Sequence, residues 1–390
     1  MSSTTAQVHG MDGELIPSDW PPLTLEELRP LVAEFPACSE LVRILTVSPR
    51  PFSSASVVET TAGRIFVKRH ARLVRNTEGL AEEHRFMAHL LTHGASVPRV
   101  YASSCGATAI ERGEWTYEVH SLPSGVDLYR DTLSWMPFFN AAHARSAGRA
   151  IARLHLATEG FSAPARPVRP LVSSFSIFAA ADPAAELNRY LAARPALATH
   201  TAVRRCCDEA LDLLAPFHAE LQPLLPSLPA LWTHNDLHAS NFFWSDESPA
   251  AEASAIFDFG LADRTFAVFD IAQAIERGLI GWLSIVAPDA PLDSAEIHFD
   301  QIAALLDGYE SVRPLSPSEA AALAPTLALC HAEFALTESD YFLGILHAED
   351  KAPYAYDSYL VGHARWFRTA GQKLLDFLRR WADAHTEAAQ

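Results

Sequence analysis

The stretch that decides the fold runs from Trp232 to Arg264 and reads WTHNDLHASNFFWSDESPAAEASAIFDFGLADR. Two short apolar segments, NFFW and SAIFDF, flank the polar segment SDESPAAEA, and this pattern predicts two paired strands joined by a turn. Asp236 precedes the first strand, Asn241 stands at its start and Asp258 lies at the end of the second. Strand pairing would therefore bring Asn241 and Asp258 together although they are distant in sequence.

This arrangement predicts a pocket of hard oxygen ligands. Amide and carboxylate oxygens such as those of Asn241 and Asp258 suit Mg²⁺, which keeps several waters and completes its coordination with substrate phosphates. Asp236 stands just before the pair, and a carboxylate that is free of the metal suits the task of accepting a proton from an attacking hydroxyl group.

The whole chain sets limits on function. Its 390 residues, 49% hydrophobic and 20% charged, are enough for two lobes with cores. The net charge of -17 argues against binding to nucleic acid or to a membrane surface, and it is compatible with a cationic small-molecule substrate. The N-terminal segment lacks a basic stretch followed by an apolar one, and the apolar run GLIGWLSIVA is too short to span a bilayer. We therefore expect a soluble, cytoplasmic protein.

Cysteine and lysine usage adds two expectations. The five cysteines are scattered without a C-x-x-C pair, which predicts reduced packing residues and neither a disulfide framework nor a structural zinc site. Lysine occurs only at Lys68, Lys351 and Lys373 among 30 basic residues. A position that keeps a lysine in so arginine-rich a chain, such as Lys68 within RIFVKRH, is therefore a candidate for a specific role.

The N-terminal part of the chain predicts a small β-rich lobe. Residues 1–22 are polar and end in Pro-Pro, which predicts a loose arm. The segment SASVVETTAGRIFVKRH alternates around a Thr-Ala-Gly turn and predicts a hairpin with Lys68 at the end of its second strand. TEGLAEEHRFMAHLLTHG predicts a helix ended by Gly94, and VPRVYAS and EWTYEVHSLP predict two more strands. Residues 23–120 are thus expected to form the first lobe.

After Pro123 the pattern changes to long amphipathic helices. Examples are ARSAGRAIARLHLATEG and the stretch from Asn188 to about Leu224, and from Phe269 onward the pattern is again helical. NFFW and SAIFDF are the only strand-like pieces of this part. The chain is therefore predicted to be α+β and two-lobed, and residues 121–390 are expected to form a larger helical lobe.

Several motifs together resemble one family. HNDLHASN resembles the catalytic loop H-x-D-x-x-x-x-N of protein-kinase-like folds, and FDFG resembles their metal-binding Asp-Phe-Gly. The H-x-D-L-H-x-x-N form is similar to the aminoglycoside phosphotransferase and choline kinase branch. FVKRH, EEHRFMAHLLTHGASVPRVY, YEVHSLPSG, AGRAIARLH and FDIAQAIE extend the resemblance from about residue 50 to residue 280. It implies a protein-kinase-like fold that transfers the γ-phosphoryl group of ATP to a hydroxyl group of a small molecule.

The resemblance also implies roles for single residues. Asp236 would be the catalytic acid/base, and Asn241 and Asp258 would bind Mg²⁺. Lys68 would contact the α- and β-phosphates, and Glu83 would orient Lys68.

Other assignments from the resemblance concern the nucleotide. Glu82 is a competitor for the role of Glu83, which is preferred because it lies at the edge of the apolar stripe. No glycine-rich loop precedes Lys68, and RPFSSAS would replace it. The remaining expected nucleotide contacts are the serines of this loop and the hinge before the second lobe: Ser53, Ser54, Ser56, Glu118, Val119 and His120.

The acceptor substrate is less defined by the sequence. Glu333, Glu338 and Asp340 in CHAEFALTESDYFLGI would form an acidic wall for a substrate amine, or they belong to an ordinary exposed helix face. Aminoglycosides, choline-like amines, amino-sugar or nucleoside antibiotics and amino alcohols all stay open. So does a protein serine or threonine, although no activation segment stands between Gly260 and Asp270.

Two other classes of function are alternatives. A nucleotide-binding module without kinase activity would have no need of the complete set of motif residues. A zinc hydrolase would use His234 and His238, but a third nitrogen or sulfur ligand at suitable spacing is missing from the sequence. Asp270 is interpreted as a helix cap or as a brace for the catalytic loop, and His155 as a core histidine.

Overall fold

The computed structural model describes residues 18–48, 50–284 and 294–388. An antiparallel sheet with two helices comes first, and a mostly helical part follows. The predicted α+β, two-lobed fold is confirmed. The strands are β1 Leu41–Val47, β2 Ser54–Thr60, β3 Gly63–Ala71, β4 Ala109–Arg112, β5 Trp115–Ser121, β6 Ala230–Thr233, β7 Phe242–Trp244, β8 Ala253–Ile256 and β9 Asp263–Phe266.

The helices carry most of the second lobe. Thirteen α-helices are found among the described residues, with π-helical segments at Tyr341–Leu346 and Tyr354–Val361. The α-helices are α1 Leu25–Val32, α2 Thr77–Thr92, α3 Ala141–Thr158, α4 Ser176–Ala179, α5 Pro183–Ala192, α6 Pro195–Ala198, α7 Thr201–Leu221, α8 Ala267–Gly278, α9 Phe299–Glu310, α10 Pro317–Leu329, α11 Ala332–Asp340, α12 Gly362–Arg368 and α13 Gln372–Ala388.

The first sheet has the strand order β1-β2-β3-β5-β4. Ala55 of β2 and Glu118 of β5 lie opposite Lys68 of β3, on either side of it. Because side chains alternate across a strand, Val67 and Val119 point into the core beneath α1, while Lys68 points to the opposite face. The predicted hairpin is confirmed, and its register decides which residues share a face with Lys68.

Helix α2 places an acidic residue under the sheet. Its N-cap Asn76 accepts a hydrogen bond from the Gly79 amide, and the chain leaves the helix at Gly94 with a φ of 81°. Leu90 and Glu83 lie on the buried side of the helix. This confirms the predicted helix and its end.

The second lobe is built around α8, every residue of which is buried. Helices α3 and α9 cross so closely that a Cβ atom at Gly148 would collide with the Leu305 carbonyl, and one at Gly308 with the backbone of Arg145. This close crossing fixes α3, and through it His155, against the centre of the lobe.

Some predicted elements differ from the structure. The helix expected from Asn188 to about Leu224 is broken into α5, α6 and α7, because the chain turns at Arg194 and restarts at Pro195. NFFW and SAIFDF do pair as β7 and β8, but a second pair, β6 with β9, was not predicted. VPRVYAS forms only an isolated bridge, from Val100 to His120.

The N-terminal arm is packed over its described part. Ser18 donates to the carbonyls of Pro51 and Ser53, at 3.0 Å each, and Tyr341 donates to Asp19 at 3.0 Å. The expectation of a loose arm therefore fails for residues 18–22, and residues 1–17 lie outside the described part. The predicted division at residue 120 stays a prediction, although β5 ends nearby at Ser121.

Two composition-based expectations have counterparts in the fold. The five cysteines are free and four of them are buried, as expected for packing residues. One helical stretch among the described residues, Pro317–Leu346, passes a length-and-composition test for a membrane span, but 94% of its most apolar window is buried inside the protein. Such burial is typical of a core helix, and the cytoplasmic location stays a prediction.

Candidate active site

The loop after β6 is held by one buried aspartate. Asp270 accepts hydrogen bonds from the backbone amides of His234 at 2.8 Å and Asn235 at 2.7 Å, and it contacts His155 Nε2 at 3.1 Å. Asp270 lies inside α8, whose N-cap is Phe266, so the interpretation as a helix cap is wrong and the loop-bracing one is observed. The brace fixes the backbone immediately before Asp236.

The two histidines of the loop serve its structure. His234 Nδ1 accepts from the Asp236 amide at 3.2 Å, which leaves Nε2 to donate to the Phe257 carbonyl at 2.9 Å. His238 Nδ1 contacts the Ser240 hydroxyl at 2.9 Å, and burial lowers the pKa of His238 to about 3. Both ring nitrogens of His234 are thus occupied, which removes the basis for a zinc hydrolase site.

The β7–β8 pair brings Asn241 and Asp258 to the same place. Asn241 Nδ2 donates to the Asp236 carbonyl at 2.7 Å, so its amide oxygen stays available for a cation. Asp258 adopts a left-handed backbone conformation, with φ 63° and ψ 69°, two residues after the end of β8. The chain therefore turns away from the strand at Asp258.

Lys68 and Asp258 form an ion pair of 2.8 Å between the lobes. Burial opposes ionisation of both, but the Lys68 ammonium lowers the pKa of Asp258 to about 2, and Asp258 raises the pKa of Lys68. Both groups are therefore charged, and together they offer one cation and one anion at the base of the cleft.

The choice between Glu82 and Glu83 has a geometric answer. Glu82 is engaged by Arg166 Nε and Arg169 Nη2, at 3.2 Å each, whereas Glu83 lines the cavity that contains Lys68. The Glu83 carboxylate lies 3.5 Å from Arg166 Nη1. The Lys68 ammonium group donates its hydrogen bond to Asp258 and not to Glu83. Glu83 is near Lys68 without a direct hydrogen bond between them.

Three histidines surround the carboxylate of Glu118. The Nε2 atoms of His70, His84 and His120 lie 2.9, 2.7 and 2.8 Å from it. Although burial opposes it, these imidazoles hold the pKa of Glu118 well below its usual range. Glu118 and His120 line the cavity, whereas the Val119 side chain lies in the core on the other side of the sheet.

Two cavities meet at Asp258. The sheet-side cavity, of about 1050 Å³ with its open mouth, lies between the first sheet and the β7–β8 pair, and the helix-side cavity, of about 1170 Å³, extends from Asp236 toward α11. Both volumes include solvent at the open mouth of the cavity. Residues that line both cavities are Arg50, Ser53, Lys68, Asn241, Asp258 and Gly260.

Only one of the three loop serines lines the cavities. Ser53 does so, but Ser54 donates to the Pro21 carbonyl at 2.6 Å and the fully buried Ser56 lies on the same strand face, away from the cavity. Arg50, which lines both cavities and donates to the Thr132 carbonyl at 3.2 Å, was missed. Its signal in the sequence was its position as the first residue of RPFSSAS, the segment expected to replace the glycine-rich loop.

The acidic wall expected from α11 is not formed. Glu333 is buried and accepts from the backbone amides of Ile177 and Ser174 at the start of α4, at 2.6 and 3.2 Å. Asp340 lies 3.8 Å from Arg194. Of the three predicted residues only Glu338 lines the helix-side cavity, because the other two face neighbouring helices.

An arginine lies next to the Asp236 carboxylate. Arg277 of α8, fully buried, donates from Nη1 to Asp236, and its guanidinium group lies 4.2 Å from the centre of the Phe334 ring. It was missed although the signal, an arginine in the apolar helix FDIAQAIERG, stands in the sequence.

The fold places Lys68 on β3, Asp236 on the loop after β6 and the Asp-Phe-Gly turn at Asp258 around one cleft. This arrangement defines a kinase-like phosphotransferase. The chain belongs to the phosphotransferase enzyme family, whose model matches residues 50–315. The predictions of this family and of a small-molecule kinase that uses ATP are confirmed.

Known proteins support this assignment. A homoserine kinase of Xanthobacter autotrophicus is 32% identical over 278 residues, which cover 71% of this chain and 73% of the relative. Among solved structures, a microcompartment-associated aminopropanol kinase has a TM-score of 0.58 at 16% identity and covers 91% of this chain and 99% of its own. An amicoumacin kinase in complex with AMP-PNP and Ca²⁺ has a TM-score of 0.52 at 16% identity, covering 89% and 93%. At these identities the two structures show the fold alone.

Proposed function

We propose that the protein transfers the γ-phosphoryl group of Mg-ATP to the hydroxyl group of a small amino alcohol, with homoserine as the first candidate. The observation that carries the proposal is the cluster of Lys68, Asp236, Asn241 and Asp258 where the two cavities meet. Similarity to a curated homoserine kinase supports the choice of substrate.

The sheet-side cavity suits the nucleotide. Its apolar lining includes Val57, Phe66, Met87 and Phe257, which would hold the adenine ring, and Leu122 follows β5 at its edge. Bound there, Mg-ATP would supply the phosphoryl group and a divalent cation that neutralises developing charge. Glu118 and His120 would contribute to this cavity through their side chains.

The phosphate end would meet the charged residues. Asn241 through its amide oxygen and Asp258 through its carboxylate would bind Mg²⁺, as hard oxygen ligands. Lys68 would contact phosphate oxygens, Ser53 and Arg50 would lie beside them, and Glu83 would balance the charge of Lys68.

On the helix side, Asp236 would accept the proton of the attacking hydroxyl group. It lines the helix-side cavity, and the Asp270 brace holds the backbone before it in place. Glu338 lines the same cavity and would bind the ammonium group of the substrate. The acceptor would thus lie between an acid that takes its proton and an acid that binds its amine.

A substrate screen tests this proposal. Purified protein with Mg-ATP is offered homoserine, choline, 1-amino-2-propanol, an aminoglycoside, a nucleoside antibiotic and a protein serine substrate, and ADP release is followed with ³¹P NMR of the product. We expect homoserine to be phosphorylated with the highest kcat/KM. Faster turnover of an antibiotic or of the protein substrate would make that compound the preferred acceptor in place of homoserine. If no acceptor speeds ADP release above the rate measured without acceptor, a binding module is favoured.

A further inference from the structure

The lining of the helix-side cavity includes a positively charged side chain, Arg277, to which phosphate binding assigns no role. The Arg277 side chain is 1% exposed and uses Nη1 for Asp236, whereas its Nε and Nη2 atoms have no hydrogen-bond partner among the residues that the structure describes. Burial lowers the pKa of Arg277, against the opposing influence of Tyr359, Cys330 and Glu338. Buried donors without partners are costly, so a ligand that supplies acceptors would be favoured here.

The surroundings of Arg277 suit a planar anion. Its guanidinium group lies 4.2 Å from the centre of the Phe334 ring and 5.6 Å from that of Trp135, two apolar neighbours that hold the plane in place. A guanidinium group fixed in this way presents a fork of N–H groups that matches the two oxygens of a carboxylate.

The other buried arginine of the cavity offers no such group. Arg75 donates Nη1 to the carbonyls of Val74 and Pro170, and Nη2 to those of Leu171 and Gly260. Its terminal nitrogens are thus committed to the main chain, whereas Nη2 of Arg277 is not.

We propose that Arg277 binds a carboxylate group of the acceptor, so that the enzyme selects hydroxy amino acids over amino alcohols without a carboxylate. This inference rests on the proposed function and deepens it. Glu338 lines the same cavity with the opposite charge, so the two side chains together fit the zwitterionic end of an amino acid.

The same contact couples binding to catalysis. Without substrate, Arg277 holds Asp236 in an ion pair. A substrate carboxylate competes for the guanidinium group and releases the Asp236 carboxylate toward the hydroxyl group. In the transfer, Asp236 takes the hydroxyl proton, the new O–P bond forms at the γ-phosphorus, and the bond to the β-phosphate oxygen breaks to leave ADP.

Two substrate analogues test the selection in the unaltered enzyme. 3-Aminopropan-1-ol is homoserine without its carboxylate, and 4-hydroxybutanoate is homoserine without its amine. We expect kcat/KM for 3-aminopropan-1-ol to be about 10²-fold lower or more, since the loss leaves buried donors unpaired. Equal kcat/KM for homoserine and 3-aminopropan-1-ol overturns the role of Arg277 and leaves the kinase assignment intact. Failure to phosphorylate homoserine while another class of acceptor is used counts against the proposed function itself.

Variants of Arg277 separate recognition from stability. Arg277→Gln removes the charge and Arg277→Lys removes the fork, and we expect both to raise KM for homoserine far more than KM for 3-aminopropan-1-ol. The matched control is Arg194→Gln, because Arg194 is 3% exposed, lies 3.5 Å from the centre of the Tyr190 ring, and pairs with Asp340 outside the cavity. The control should lower stability while preserving the ratio of the two KM values. An unchanged ratio in both Arg277 variants overturns the proposal.

Calorimetry without nucleotide tests the competition between substrate and Asp236. Asp236→Asn weakens the partner of Arg277, so we expect homoserine to bind this variant several-fold more tightly than the unaltered protein, with no such gain for 3-aminopropan-1-ol. This binding measurement does not require catalysis, so it can be made even if the Arg277 variants fold poorly. Unchanged or weaker homoserine binding to Asp236→Asn overturns the competition.

Discussion

The sheet-side and helix-side cavities share Lys68, Asn241 and Asp258 but differ in how their other walls are built. The sheet-side cavity is lined largely by strands and by the loops that join them, for example by Val47, Ser53 and Val57. The helix-side cavity is lined by side chains of α8 and α11 and by loop residues such as Trp135. The difference teaches that the phosphate-transfer end follows from local patterns, whereas the acceptor end depends on how helices rotate against each other.

The largest effect should come from Asp236, which lines the helix-side cavity. Asp236→Asn removes the proposed proton acceptor, and we expect kcat to fall by about 10²-fold or more. The nucleotide is proposed to bind in the other cavity, so the thermal shift by Mg-ATP should be nearly unchanged. Unaltered turnover, or loss of the Mg-ATP shift, would contradict this division of labour.

A second test concerns the sheet-side cavity. Lys68→Arg keeps the charge, but a larger planar group does not fit the point contact with Asp258, and a positional error of about 1 Å costs on the order of 10²-fold in rate. We expect kcat/KM for ATP to fall by about that factor. The control Lys351→Arg, at a residue 3.7 Å from Asp19, should leave it unchanged. If Lys68→Arg has the same kcat/KM for ATP as the unaltered protein, residue 68 serves only as a positive charge and does not position phosphate.

On the helix side, two acids of the same helix should behave differently. Glu338→Gln should raise KM for homoserine by about 10-fold, the effect of weakening one charge-assisted contact. Glu333→Gln should leave KM unchanged and lower the free energy of unfolding by roughly 1–3 kcal/mol, because it disturbs the buried contacts to α4. Kinetics and urea unfolding of both variants measure this contrast. A raised KM in Glu333→Gln would support the original hypothesis that Glu333 belongs to an acidic wall for the substrate amine.

The adjacent acids of α2 give a smaller contrast. Glu83→Gln should lower kcat/KM for ATP by less than Lys68→Arg does, since Glu83 acts near Lys68 without bonding to it. Glu82→Gln should leave the kinetics unchanged and cost about 1 kcal/mol of stability from its two arginine contacts. If Glu82→Gln is the slower enzyme, the assignment of the two residues is reversed.

The change expected to affect activity least is a pH dependence of stability, at a residue behind the helix-side cavity. Glu276 is buried with one oxygen 2.9 Å from His363 Nδ1, and burial raises the pKa of Glu276 from 4.5 to about 8. Because the folded-state pKa is the higher one, this group's contribution to stability is fully present below about pH 4.5 and is lost as the pH rises through 8. We expect Tm to decline between pH 5 and 8 more steeply for the unaltered protein than for Glu276→Gln. Parallel Tm profiles would show that Glu276 does not ionise differently on folding.

Much of the sheet-side arrangement could be predicted because strand geometry is local. Alternation along β3 places the side chains of Lys68 and Val67 on opposite faces of the sheet. The hairpin pairing of β7 with β8 brings Asn241 near Asp258. The same rule applied to β2 would have separated Ser54 and Ser56 from the cavity. The Val119 side chain lies in the core for the same reason, since its neighbours on β5 point the other way, and its expected nucleotide contact stays a prediction.

The sequence by itself determined the family, the order of a β-rich lobe followed by a helical one, and the motif residues Lys68, Asp236, Asn241 and Asp258, because these patterns depend on a few neighbouring residues. Only the tertiary structure decided that Glu338 and not Glu333 reaches the cavity, and that Arg277 pairs with Asp236. Those outcomes depend on the rotation of α8 and α11, which is set by close packing against all surrounding helices, and such packing is not encoded in any short stretch of the chain.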